Sequence, residues 1–121
     1  MTAKEAKLSD VKEPLAEIGV TTLKGLYGPV AKNLEKIDSL MEGHYMGQYR
    51  LSNPDVMILM ELNVSCRALM STLSDLIEQA KEAYVESVFL PGAEVKVIAT
   101  IAHSLMTSFE LGIGNIRFLE N

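Results

Sequence analysis

The chain has 121 residues, 48% of them hydrophobic, a net charge of −5 and a single cysteine. That apolar content excludes a disordered chain, and the length fits one domain with an adequate but not generous core. One Cys excludes an internal disulfide, and with no CxxC or Cys/His cluster the composition fits a reducing compartment, taken as the cytoplasm.

Charge is unevenly placed. Residues 1–50 hold seven Lys/Arg against seven Asp/Glu, and residues 51–121 hold four against nine. Counterion release from phosphates needs clustered cations, so nucleic acid is expected to bind weakly if at all. The opening "MTAKEAKLSDVKEP" is charged throughout, unlike a signal peptide. The longest uncharged run in the C-terminal half, Val97 to Phe109, is thirteen residues, too short for a bilayer, so no membrane contact is expected.

In chain order, Pro14 suits the first turn of a helix, where its missing N–H is harmless. That helix would present Leu15, Ile18, Thr22, Leu23 and Leu26 and stop at the breaker "GLYGP", Gly25 to Pro29. A second short helix follows, with Val30, Leu34, Ile37 and Met41 at 3-4 spacing, ending at Gly43. Gly43 to Asn53 reads as a loop. Ser52 or Asn53 then caps a long helix, with Pro54 at its first position and Asp55 beside the dipole. Leu59, Cys66, Leu73 and Ala80 fall on one heptad position; Leu62, Leu69, Leu76, Ala83 and Leu90 fall on the other, a seam with no Gly or Pro before Pro91. Beside it runs a second apolar stripe, Val56, Met70, Ile77 and Tyr84.

After the break "LPGAE", Ile98, Ala102, Leu105, Phe109, Gly112, Ile116 and Leu119 again keep a heptad, which predicts an antiparallel helix on the long one. A strand is the rival reading for "EVKVIATI" and for "GIGNIRF". The expected fold is therefore all-α: a long antiparallel helical hairpin with short N-terminal helices, in an oligomeric helical bundle. One domain spans 1–121, with short helices and loop over 1–50 and the hairpin over 53–120.

Candidate chemistry is sparse. His103 has no metal-ligating partner at three or four residues' distance, and a core or interface histidine is the simpler reading. Cys66, on the seam, reads as an inert buried thiol. The Glu78/Glu82/Glu86 series with Lys81 among it describes a solvated flank rather than an acid–base pair. No catalytic residue, metal site or cofactor is expected. The Gly43–Asn53 loop holds the one polar-aromatic cluster, His44, Tyr45, Tyr49 and Arg50, which could clasp a ligand or partner, or pin the loop to the bundle. "LAEIGVTTLKGLYGPV" is phrased like a helix-turn-helix, but its recognition helix would be broken after about one turn by Gly25, Gly28 and Pro29.

The stretch "AEVKVIATIAHSLMTSFELGI", following a proline break and a Met-rich helix ending "LIEQAKEA", resembles the central helical hairpin of the small terminase subunit of large tailed phages. The resemblance covers about residues 55–119. It implies hairpins that associate side by side into rings, a regulatory role beside a motor subunit in viral DNA packaging, and no active site of its own.

The function expected from these residues is that of a non-enzymatic, self-assembling helical adaptor or assembly protein. Its partners would be its own copies and another protein, with Met57, Ile58, Met60, Ile101 and Met106 at the oligomer interface. The alternative is an oligomeric helical regulator or anti-defence protein that binds a nucleotide or other small ligand at a subunit junction.

Overall fold

The computed structural model describes residues 14–114, 116, 118 and 119, with the backbone alone at Leu119. The charged stretch before Pro14 lies outside them. Three long helices dominate: α1 (Val20–Tyr45), α2 (Asn53–Glu82) and α3 (Gly92–Gly114). Short strands precede or separate them: β1 (Leu15–Gly19), β2 (Arg50–Leu51), β3 (Ser87–Pro91) and β4 (Phe118–Leu119). β1 pairs antiparallel with β3, and β2 with β4.

The long helix forms where its signals lie. The Ser52 hydroxyl accepts a hydrogen bond from the Asp55 amide at 3.2 Å, and Pro54 stands in the first turn. Leu59, Leu62, Cys66, Leu69, Leu73, Leu76 and Ala80 are its buried residues, which is the expected heptad seam. At about 1.5 Å per residue its 30 residues span roughly 45 Å. Val56, Met70 and Ile77 of the second stripe pack half-buried against the core.

The helix stops earlier than the heptad pattern predicts. The Tyr84 amide bonds back to the Lys81 carbonyl and the Val85 amide to that of Ala80, with Tyr84 at φ 55°. This is a left-handed helix stop, a conformation for which glycine is the usual signal, and none is present. Ala83 and Leu90 therefore leave the seam, and Tyr84 is 96% exposed instead of lying on the second stripe.

Two N-terminal expectations are overturned. Residues after Pro14 form β1, not a helix: Ala16 and Ile18 face inward opposite Leu90 and Val88 of β3, while Leu15 and Phe89 face out. The partner strand lies some seventy residues away, so local pattern cannot reveal it. The two short helices are one continuous α1, with Pro29 inside it. Leu23, Val30, Leu34 and Ile37 share one buried stripe across the expected break. Burial of that stripe, at about 25 cal/mol per Å², outweighs the roughly 3 kcal/mol that an interior proline costs. With a strand in place of its first helix, the helix-turn-helix likeness disappears.

α2 and α3 run in opposite directions, since Gly112 lies against Ile58 and Leu62 while Ile101 shares a groove with Ser65 and Ala68. The strand reading of "EVKVIATI" is excluded, because that segment is helical. Beyond Gly114 the next described element is β4, not a continued helix. Ile98, Ala102 and Leu105 are buried, and Phe109 and Ile116 pack on the core as half-buried neighbours.

Candidate interaction surface

The polar-aromatic loop is divided by the fold. The His44 Nδ1 accepts the Leu51 amide at 3.0 Å, and the Tyr49 hydroxyl donates to the Leu40 carbonyl at 2.7 Å. The Tyr49 ring also lies over Gly43 and meets Phe118 edge-on at 4.8 Å. These two side chains pin the α1–α2 connection. Tyr45 is exposed beside His44, and Arg50 is exposed on β2, paired in backbone register with Leu119. The four residues thus do not converge on one pocket.

His103 is exposed on α3, which excludes a core histidine. Cys66 is a buried free thiol, and burial pushes its pKa up, as an unreactive seam residue requires. Among the described residues, no group of three His, Cys, Asp or Glu could hold a metal ion.

Apolar surface gathers on the outer side of α2, away from its seam. Met57, Met60 and Val64 follow one another there at 3-4 spacing and are 62%, 49% and 68% exposed. They form a ridge flanked by two grooves. On the α1 side, a groove of about 460 Å³ is lined by Met41, Met60 and Val64, with Asp38, Glu42 and Tyr45 at its margin. On the α3 side, a groove of about 520 Å³ has Ser65, Ala68 and Thr72 along one wall and Val97 and Ile101 along the other, with Glu94 beside them. A shallower depression over Met60, Glu61, Val64 and Ser65 lies between the two. Exposed apolar residues therefore lie across all three helices on this side, with Glu61 among them and Glu42 and Glu94 at the flanks.

One polar network borders it. The Asn63 amide donates to Asp38 at 2.6 Å, the Arg67 guanidinium donates to Asp38 at 3.1 Å, and the Arg67 Nε donates to the Asn63 carbonyl oxygen at 2.9 Å. The Arg67–Asp38 pair is about half exposed, so its stabilising effect is small and screened by salt. Its geometric effect is to hold α1 and α2 in register beside the ridge.

Of the expected interface residues, Met57, Met60 and Ile101 are brought together on this side. Ile58 leans toward Gly112, and Met106 turns to α1, where its sulfur accepts from Asn33 at 3.3 Å. Val64 and Val97 belong to the patch but were missed as candidates. The signal for Val64 was available in the outer 57-60-64 spacing of the long helix, which a search for core periodicity overlooks; Val97, on α3, had no such signal.

By length and composition, α2 and α3 are also apolar enough to cross a membrane, with windows of mean hydropathy 1.4 and 1.3. The thirteen-residue uncharged run understates this, because such a window tolerates up to two charges. The hydropathy has two sources, the buried seams and the uncovered side just described. Comparison with family models, curated proteins and solved structures finds no match to the chain.

Proposed function

We propose that this chain is a non-enzymatic helical assembly or adaptor protein that self-associates and works through protein–protein contacts. The observation that carries the reading is the cluster of exposed apolar residues on α2 and α3, with Met57, Met60, Val64, Val97 and Ile101 each more than two-fifths exposed around the single carboxylate of Glu61. Monomeric proteins seldom leave a contiguous apolar patch of several hundred Å² in water, and surfaces of that kind are docking sites. Burying it releases about 25 cal/mol per Å², from which the costs of association are deducted. The proposed compartment is the cytoplasm, where a lone buried thiol stays reduced.

The small-terminase resemblance gives this reading its most specific form, an assembly protein of viral DNA packaging. Its support is the helical pattern of residues 55–119 alone. The ligand-binding alternative draws on the groove beside Tyr45, whose acidic margin of Asp38 and Glu42 suits a cationic or polar small molecule. His44 and Tyr49, already engaged in pinning the loop, weaken it.

Light scattering behind size exclusion tests the main reading. The expected result is a mass at least twice the 13.3 kDa of the chain at micromolar concentration. Met57→Lys with Met60→Lys should lower that mass while leaving helical circular dichroism unchanged. A wild-type monomer throughout that range would refute self-association, and a melting-temperature rise with a cationic small molecule such as spermidine, which the acidic margin suits, would favour the alternative.

A further inference from the structure

We infer that the α2/α3 groove and the depression beside it receive a cationic amphipathic helix from a partner protein, its apolar stripe seated between the helices and its Lys or Arg side chains over Glu61 and Glu94. The inference rests on the reading that this surface docks protein, and it commits to the partner's chemistry. The depression over Met60, Glu61, Val64 and Ser65 shares Ser65 with the groove, so the two form one track. The α2 wall of the groove is small-chained, with Ser65, Ala68 and Thr72, which lets another helix backbone come close. Met60 and Val64 at one end and Val97 and Ile101 along the far wall supply apolar contact. The methionine adapts to an irregular partner surface. A concave apolar track between two helices is the shape into which an amphipathic helix lays its apolar face.

Charge selects the partner. Glu61 stands at one end of the track, and Glu94, in the first turn of the antiparallel α3, stands toward the Thr72 end. Neither makes an ion pair among the described residues, and no Lys or Arg lines either part of the track. The α1-side groove differs, since its Asp38 is already held by Asn63 and Arg67. Two uncompensated carboxylates beside apolar surface favour a partner that brings cations, and the field of a chain of net charge −5 has the same sign. Thr72 lies three turns of α2 beyond Glu61, about 16 Å along the axis at about 1.5 Å per residue. Cations about eleven residues apart on a docked helix would reach both carboxylates.

The test uses the full chain and a fluorescein-labelled peptide of Leu and Lys, about 18 residues long, whose order gives one apolar helical stripe. Fluorescence anisotropy at near-physiological salt should show saturable binding at micromolar peptide, weakened by added salt. A Leu/Glu peptide of the same pattern and a Leu/Lys peptide of scrambled order should not bind. Glu61→Gln with Glu94→Gln should weaken binding at least about tenfold, with helical circular dichroism unchanged. Ala68→Gln, which fills the groove from its exposed wall, should weaken it as well. Glu82→Gln with Glu86→Gln removes the same charge at exposed positions off the track and should have little effect. No binding, equal binding of the three peptides, or indifference to Ala68→Gln would overturn the inference. Equal loss in the two double variants would overturn it too, reducing the contact to general attraction to an acidic chain. Self-association is read separately, by light scattering without peptide. A monomer that binds the Leu/Lys helix refutes self-association and leaves this inference standing, whereas an oligomer that ignores the peptide does the reverse. A monomer that ignores the peptide and co-floats with phosphatidylcholine vesicles would overturn both and put lipid on the track.

Discussion

The unbroken α1 makes a prediction that runs against ordinary caution about glycine. Gly25 and Gly28 lie in its interior, both exposed, and a Cβ added at either would meet nothing within 4 Å. Neither has a positive φ, so alanine would suffer no backbone strain. Glycine in a helix interior is about 0.5–1 kcal/mol less favourable than alanine, because the unfolded chain gives up more freedom. The double substitution Gly25→Ala with Gly28→Ala should therefore stabilise the fold by about 1–2 kcal/mol. For a domain of this size that is a rise in Tm of roughly 4–8 °C. Pro29→Ala should stabilise further, because the exposed ring costs up to about 3 kcal/mol in a helix interior. Thermal and urea unfolding followed at 222 nm measure both effects, with an unchanged m-value showing that the same surface is exposed. If the double variant is destabilised, or loses helix signal, residues 25–29 form a turn that needs glycine, and α1 is not continuous in solution.

Gly43 should behave in the opposite way. A Cβ there collides with the Tyr49 ring, so Gly43→Ala should cost about 1–3 kcal/mol, and most of that cost should vanish in a Tyr49→Ala background. Leu59 and Leu73 are fully buried on the α2 seam, so either change to Ala should cost roughly 2–5 kcal/mol, read as a lower urea midpoint at constant m. Burial raises the Cys66 pKa above the ordinary thiol value of 9.0. The folded state then holds its proton where the unfolded state releases it, so this contribution to stability is present below pH 9 and declines as the pH rises beyond it. Cys66→Ala should flatten that decline, and thiol-reagent labelling of the native protein should be slow until it unfolds.

Much of the framework was legible because its causes are local. The Ser52-x-x-Asp55 start and the 59-62-66-69-73-76-80 pattern require only the geometry of a single helix, and α2 forms accordingly. The helical state of Val95–Leu111 was legible on the same ground, despite its β-branched residues. The candidate surface was half legible: Met57, Met60 and Ile101 stood out as apolar residues without a core position, while Val64 and Val97 did not.

What the tertiary structure decided depends on partners distant in the chain. Leu15–Gly19 is extended because Ser87–Pro91 lies beside it, and α2 yields at Tyr84 so that the chain can form that strand. α1 carries two glycines and a proline through its middle because Leu23, Val30, Leu34 and Ile37 are held along one stripe of the core. Tyr49 and His44 act as struts because carbonyl and amide groups of the α1–α2 connection came within their reach. In each case a local preference of a few kcal/mol or less gave way to burial or hydrogen bonding that exists only once the helices have met.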